Sequence, residues 1–349
     1  MIFASDNWAG ASDRVVAALA EAAKTGGPAY GGDRLTAAVE ARFCEIFERE
    51  VAVFLVASGT IANALALATY ARPGGIVFAH HQAHILAEEP GAIELFSGGN
   101  KIFGLKATAG KLAPETLLEG LARFPVNAVH HGQPVAVSLT QTTEYGAVYR
   151  PDEVAALARA AKTRSLAVHM DGARFAGAVA SLGLSPAEIT WRAGVDVLSF
   201  GGTKNGCLAA EAVVFFNPAD AGDFAFARQR AGQGYSKNWF IAAQFAAYFE
   251  NGHWLDLARH ANQMARRLAD RIIASPSGRL AFEPGANEVF AVLTNAADER
   301  LRAAGAIYHP WSADDLPIEG RPGAQEVMVR LVTSFQTSEA DINRFADCL

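Results

Sequence analysis

Short apolar runs that stop abruptly in glycine or polar residues recur along the first two thirds of this chain. They are VAVFLV (51–56), IVFAHH (76–81), VNAVHH (126–131), VAVSLTQ (135–141), LAVHMDGAR (166–174) and VDVLSFGGTK (195–204). Longer segments such as PDEVAALARAAKTR (151–164) stand between them, with apolar positions recurring at helical spacing. Strand-then-helix alternation predicts a mostly parallel sheet covered by helices on both faces. Residues 51–71 carry no charge, a span long enough for a bilayer. SGT and Asn63 interrupt it, its first half is β-branched and its second half is Ala/Leu-rich. That pattern predicts a buried strand, a tight turn and a buried helix. From about Phe240 the character changes: a helical segment (240–275) precedes apolar runs near 288–294 and 326–333. The expected division is a large domain over 1–240, with its N-terminal segment contributing to the site, and a smaller α+β domain over 241–349.

Composition narrows the classes of function. At 349 residues and 51% hydrophobic, the chain can bury a large core. A net charge of −6, with no Lys/Arg block, argues against nucleic acid and anionic membranes as partners. The three cysteines are far apart and form no CxxC pair, which predicts a reducing, cytoplasmic setting without disulfides or a zinc ribbon. MIFASDNWAG has no positive region leading into an apolar run, so no secretory signal is expected. HHQAH (80–84) invites a metal, but no HExxH-type spacing follows it. His80 and His81 are expected to be buried, hydrogen-bonded structural groups, and Glu88 and Glu89 a solvated turn or partners behind His84.

In an open parallel sheet, ligands bind beyond the carboxyl ends of the strands. The apolar runs end in Ser58-Gly59-Thr60, in His80, His81 and His84, in His130 and His131, in Asp171 and Arg174, and in Thr203-Lys204. Parallel strands would bring these groups to one rim. SGT before IANALALA places hydroxyls and free backbone N–H groups at a helix N-terminus, which suits either an anion or a plain cap. Asp171 could face a protonated ring nitrogen, or merely cap a turn. Arg174 could bind a carboxylate or pair locally. Lys204 stands among glycines in SFGGTKNG (199–206), where partial desolvation makes an amine nucleophilic toward carbonyls. A carbonyl compound that also carries a phosphate and a ring nitrogen is pyridoxal phosphate, and it needs a lysine, an acid and an anion cradle.

The succession SDN (5–7), YGGD (30–33), SGTIANALAL (58–67), QAHILAEEPGA (82–92), LTQTTEYGAVY (139–149), HMDGARFAGA (169–178), SFGGTKNG and VRLVTSFQTSEADI (329–342) resembles the L-threonine aldolases. These are aspartate-aminotransferase-like (fold-type I) pyridoxal-phosphate enzymes of the β-eliminating-lyase group. TKNG and TQTTE stand where the commonest branch has SKG-type and ENT-type segments. Both resemble a sub-branch with phenylserine aldolases and low-specificity bacterial enzymes. The resemblance implies retro-aldol cleavage of L-threonine, L-allo-threonine, phenylserine or related β-hydroxy-α-amino acids to glycine and an aldehyde; β-elimination or transamination on the same scaffold, or a catalytically silent binding protein, are the alternatives. It implies Lys204 as the Schiff-base lysine and Asp171 as the partner of the pyridine nitrogen. Ser58, Gly59, Thr60 and Thr203 would hold the phosphate, and His84 would stack on the ring. Ser5, Arg174 and Arg330 would hold the substrate carboxylate, with His84 or His130 as the base at the hydroxyl. Arg230 and Lys237 would reach the site of a neighbouring subunit in a homodimer or homotetramer.

Overall fold

The computed structural model describes residues 1–349. Seven strands form the large sheet: β1 (Ala52–Val56), β2 (Gly75–His80), β3 (Lys101–Leu105), β4 (Gln133–Thr140), β5 (Ala167–Gly172), β6 (Val197–Gly201) and β7 (Glu211–Phe215). Their spatial order is β1-β7-β6-β5-β4-β2-β3. The pairs from β3 through β2, β4 and β5 to β6 are parallel, as the alternating pattern predicts. β7 runs antiparallel to both β6 and β1. Residues 202–210 join β6 to β7 without a crossover helix, and so short a connection permits only an antiparallel return. β1 and β6 therefore point the same way, and the carboxyl ends of β1, β2, β4, β5 and β6 share one rim.

The charge-free span resolves into β1 and the helix Gly59–Ala68, which is buried from Ile61 to Leu67. A helix apolar on every side belongs inside a core. No helix is long and apolar enough to cross a membrane.

One expected strand does not form. Residues 126–131 make turns on the surface, with Val129 99% exposed. They connect the helix Pro114–Ala122 to the amino end of β4. The run is too short, and is followed too closely by Gly132 and Pro134, to support its own strand beside the adjoining one.

The second sheet is antiparallel throughout: β8 (Gly278–Leu280), β9 (Glu288–Thr294), β10 (His309–Pro310) and β11 (Glu326–Val332), in the order β10-β11-β9-β8. The helix at the expected division near residue 240 packs with the large core. The helix Trp239–Phe249 packs its Ile241, Phe245 and Phe249 into the large core, beside Phe43 and Phe200. Asn251 and Gly252, with φ of 51° and 73°, break the expected long helix. The following helix, His253–Ile273, serves both cores: Trp254 and Ala258 belong to the first, Met264, Leu268 and Ile272 to the second. Phe3 is buried in the second core, so the N-terminus crosses to the small body and carries residues 5–6 past the rim.

Candidate active site

The turn that follows β6 explains why a lysine stands among glycines. A Cβ on Gly201 would lie 2.5 Å from the Ala173 carbonyl oxygen, and one on Gly202 would lie 2.8 Å from that of Ala210. Only glycine allows these backbone approaches. The turn Thr203–Asn205 is then tied on both sides. The Thr203 N–H donates to Glu211 at 3.3 Å, and Asn205 Nδ2 donates to the Tyr248 hydroxyl at 2.7 Å and the Trp254 carbonyl at 2.8 Å. Lys204 projects from this anchored turn into a cleft that it shares with Gly59, Thr60, Asn63, His84, Asp171 and Glu144.

Asp171, the penultimate residue of β5, lines the cleft and is only 3% exposed. Its Oδ2 accepts from Asn63 Nδ2 at 2.8 Å and its Oδ1 from the Ala173 N–H at 3.0 Å. Asn63 Nδ2 also reaches Glu89 Oε1 at 2.9 Å, and that oxygen lies 2.9 Å from His84 Nδ1. Glu89 is buried behind His84, and its hydrogen bond raises the imidazole pKa against the opposing effect of burial. The bond fixes the imidazole through Nδ1. Glu89 is thus a partner of His84 and not a solvated turn, whereas Glu88 is exposed.

Ser58 caps the helix Gly59–Ala68, its Oγ accepting from the Ile61 N–H at 3.4 Å. A Cβ built on Gly59 would meet nothing within 4 Å, so the space over this N-terminus is open toward the cleft. The Thr203 hydroxyl is engaged on the β7 side of its turn, by the Ala210 N–H at 3.2 Å. Arg230 and Lys237 are exposed and do not line the cleft of their own chain. Their loop does border the cradle, since Gln233 Oε1 accepts from the Ala57 N–H at 3.1 Å.

Arg174 departs from expectation. Its fork is closed on Asp6, with Nε to Oδ2 at 2.7 Å and NH2 to Oδ1 at 3.0 Å, and Glu288 lies 3.4 Å from NH2. Burial would raise the Asp6 pKa, but Arg174 and then Lys204 outweigh it and hold the carboxyl below its ordinary range. Arg330 is the freer cation. Its Nε is buried without a partner, its NH2 reaches only the Ala4 carbonyl at 3.4 Å, and its guanidinium lies 4.4 Å from the Trp311 ring centre. Ser5 accepts from the Asn7 N–H at 3.1 Å and lines a neighbouring recess with Trp8 and Ser334.

His130 does not join this cluster. It is exposed on the turn before β4, at the amino end of that strand, whereas the cleft lies beyond the carboxyl end. The β4 contribution to the rim is instead Thr140, Thr142 and Glu144. His80 is a hydrogen-bonded structural group, reaching the Ala107 carbonyl at 3.0 Å and accepting from the Gln82 N–H at 3.2 Å. His81 pairs with Asp315 at 3.1 Å. Asp6, Asn63 and Glu144 lie inside the segments SDN, SGTIANALAL and TQTTE, but nothing in those segments assigns them a role, and Glu211 lies in none of them.

The donor set fits a flat anionic heterocycle. An anion-ready helix N-terminus, a buried carboxylate and a lysine line one cleft, and Asn63 Oδ1, Thr142 Oγ1 and Glu144 Oε2 are buried there without partners. Comparison with known proteins agrees. Residues 3–296 match the family model of the β-eliminating lyases. The chain is 44% identical over 304 residues to a low specificity L-threonine aldolase of Pseudomonas aeruginosa, covering 87% of each chain. It is 39% identical over 344 residues to another, from Pseudomonas sp. (strain NCIMB 10558), covering 99% of this chain and 95% of the relative. The solved threonine aldolase of Leishmania major superposes with a TM-score of 0.90 at 27% identity, over 99% of this chain and 97% of that one. The architecture is that of the fold-type I enzymes, and the chain belongs to the β-eliminating lyase family.

Proposed function

We propose that this chain is a pyridoxal-phosphate-dependent aldolase that cleaves L-threonine and related β-hydroxy-α-amino acids to glycine and an aldehyde. L-allo-threonine and phenylserine are included among its substrates. The observation that carries this reading is the convergence of Lys204, Asp171 and the Gly59–Thr60 N-terminus on one cleft, with His84 at its wall. When bound, the cofactor supplies an aldehyde that takes up amino groups and a ring that accepts the electron pair of a breaking bond at Cα.

The chain's own residues do the rest. Lys204 Nζ is the amine that anchors the aldehyde carbon. Asp171 holds a proton on the ring nitrogen, and Asn63 fixes the orientation of that carboxylate at 2.8 Å. The N–H groups of Gly59 and Thr60, with the Ser58 cap, receive the phosphate at the positive end of the helix dipole. His84, braced by Glu89, would form the cleft wall beside the bound cofactor. Arg330 binds the substrate carboxylate through its unpartnered guanidinium N–H, while Arg174, held by Asp6, adds positive charge beside it. Fixing the carboxylate would hold the substrate in one orientation above Lys204, which is catalysis by positioning. The exposed Arg230 and Lys237 beside the cradle support a homo-oligomer with sites shared between subunits. Three free cysteines support a cytoplasmic setting.

The test is the absorbance spectrum of purified protein reconstituted with pyridoxal phosphate, followed by assay of glycine and aldehyde from L-threonine, L-allo-threonine and L-phenylserine. A visible band that is lost in Lys204→Ala, with aldehyde released by the unmodified chain, is the expected result. A Lys204-dependent band without aldehyde would keep the cofactor and move the reaction to elimination or transamination. No band would sink the reading.

A further inference from the structure

Glu144 is a titratable group of the Lys204 cleft without a role in the account above. Thr140 at the end of β4, and Thr142 and Glu144 just beyond it, alternate along the chain, and all three line the cleft with Lys204, His84 and Asp171. One carboxylate oxygen, Oε1, accepts from the His84 backbone N–H at 2.8 Å and from the Thr140 hydroxyl at 2.9 Å. The other, Oε2, is buried and has no hydrogen-bond partner. Two bonds on one oxygen hold the carboxylate still while leaving its second oxygen as an acceptor on the cleft wall. Leaving such an atom unsatisfied is costly unless an arriving group bonds to it. The rival acceptor is His84 Nε2, but the bond from Glu89 to Nδ1 raises the His84 pKa and so favours the protonated ring.

We propose that Glu144 accepts the proton of the substrate β-hydroxyl as the Cα–Cβ bond breaks, an inference that rests on the aldolase reading. The proton passes from the hydroxyl oxygen to Oε2. The electron pair of the O–H bond becomes the second bond of the aldehyde C=O. The pair from the Cα–Cβ bond, which the bound cofactor would accept, returns to Cα when that carbon takes up a proton. One proton leaves the hydroxyl and one is gained by Cα, so no co-reactant is needed.

The surroundings suit a base working near neutrality. Burial raises the Glu144 carboxyl to about 7, against the lowering effect of its bonds from His84 and Thr140. The groups that face it are Asp171 on β5, Arg174 just beyond, the His84 backbone across the cleft, and the phenols of Tyr145 and Tyr149. A general base with a pKa near the working pH is the most effective.

The test compares two reactions of the holoenzyme carrying Glu144→Gln. One is aldehyde release from L-threonine. The other is exchange of the glycine α-proton for deuterium in D2O, which uses the cofactor and Lys204 but no hydroxyl. Loss of a general base costs roughly 10²–10⁴-fold, so aldehyde release should fall by about 100-fold or more while glycine exchange stays within roughly threefold. The limb of the kcat/KM profile near pH 7 should vanish with it. Glu144→Asp, which withdraws Oε2 by one methylene, should give the same split in milder form, and it serves as the test if the Gln variant does not fold. Equal loss of both reactions, or unchanged aldehyde release in either variant, would overturn the proposal. An unmodified enzyme that exchanges glycine but releases no aldehyde would instead overturn the aldolase reading itself.

Discussion

Glu89 Oε1 lies 2.9 Å from His84 Nδ1 and, through the same oxygen, 2.9 Å from Asn63 Nδ2. One carboxylate oxygen thus couples the residue at the cleft wall to the residue that orients Asp171. Glu89 raises the His84 pKa, so the charged imidazole is stabilised in the folded state. A raised pKa gives stability that is fully present below about pH 6.5, the unfolded value, and is lost as pH rises through the higher folded one. Glu89→Gln should therefore move the His84 titration to lower pH. An NMR titration of the His84 ring would read the shift, and an unmoved midpoint would mean that Glu89 is only packing.

Asn63→Leu should separate cofactor binding from folding. Leucine removes the one amide that bonds both Asp171 and Glu89, leaving two buried carboxylates short of a donor. An unsatisfied buried acceptor costs about 1–3 kcal/mol. The expected results are a lower urea midpoint and roughly tenfold weaker pyridoxal-phosphate binding, since Asp171 would no longer be fixed. Both are measurable by fluorescence titration, and unchanged affinity would show that Asp171 orients itself.

The rim was legible because chemistry and periodicity coincide there. Ser58, His84, Asp171 and Lys204 each follow an apolar run, and parallel strands bring run ends together. The structure failed to follow the sequence where an apolar run was not a strand. VNAVHH has the composition of one, but it makes surface turns, and His130 went to the wrong end of β4 with it. β3 and β7 are not announced by an uninterrupted apolar run, since KIFGL and EAVVF each begin with a charge. The roles of Asp6, Asn63 and Glu144 are not legible in their segments because they come from contacts distant in sequence, such as Asp6 with Arg174. Glu211 was hidden in the same way: it opens β7 opposite Gly201 and Val56, where burial raises its carboxyl to about 7.

The Asp6–Arg174 pair makes a stability prediction with a defined pH window. The Asp6 carboxyl is held below its ordinary range, so its contribution is present above about pH 4 and is lost as pH falls through the lower folded value. Asp6→Asn leaves Arg174 buried against Glu288 alone. Breaking one side of a buried pair costs about 3–5 kcal/mol. The variant should be much less stable at pH 7, and its stability should fall less steeply below pH 4 than that of the unmodified chain. Chemical denaturation across the acid range would read both effects, and parallel curves would show that Asp6 is not the group responsible.

Gly201→Ala tests whether the Lys204 turn depends on backbone approach. The added Cβ would sit 2.5 Å from the Ala173 carbonyl oxygen and 2.8 Å from its Cα, and both are backbone atoms that no side-chain rotation can move. Ala173 follows Asp171 by two residues and bonds its Oδ1, so the clash would push apart the ends of β5 and β6 that carry the acid and the lysine. Overpacking of this kind costs about 1–3 kcal/mol. A surface glycine such as Gly74, with no neighbour within 4 Å but a φ of +72°, provides the comparison, since alanine there is strained only by its backbone angle. The expected outcome is that both variants lose stability in urea, but only Gly201→Ala loses the absorbance band of the bound cofactor. If Gly74→Ala dims the band equally, the loss reflects global stability, and the close packing of β5 against β6 is not what sets the position of Lys204.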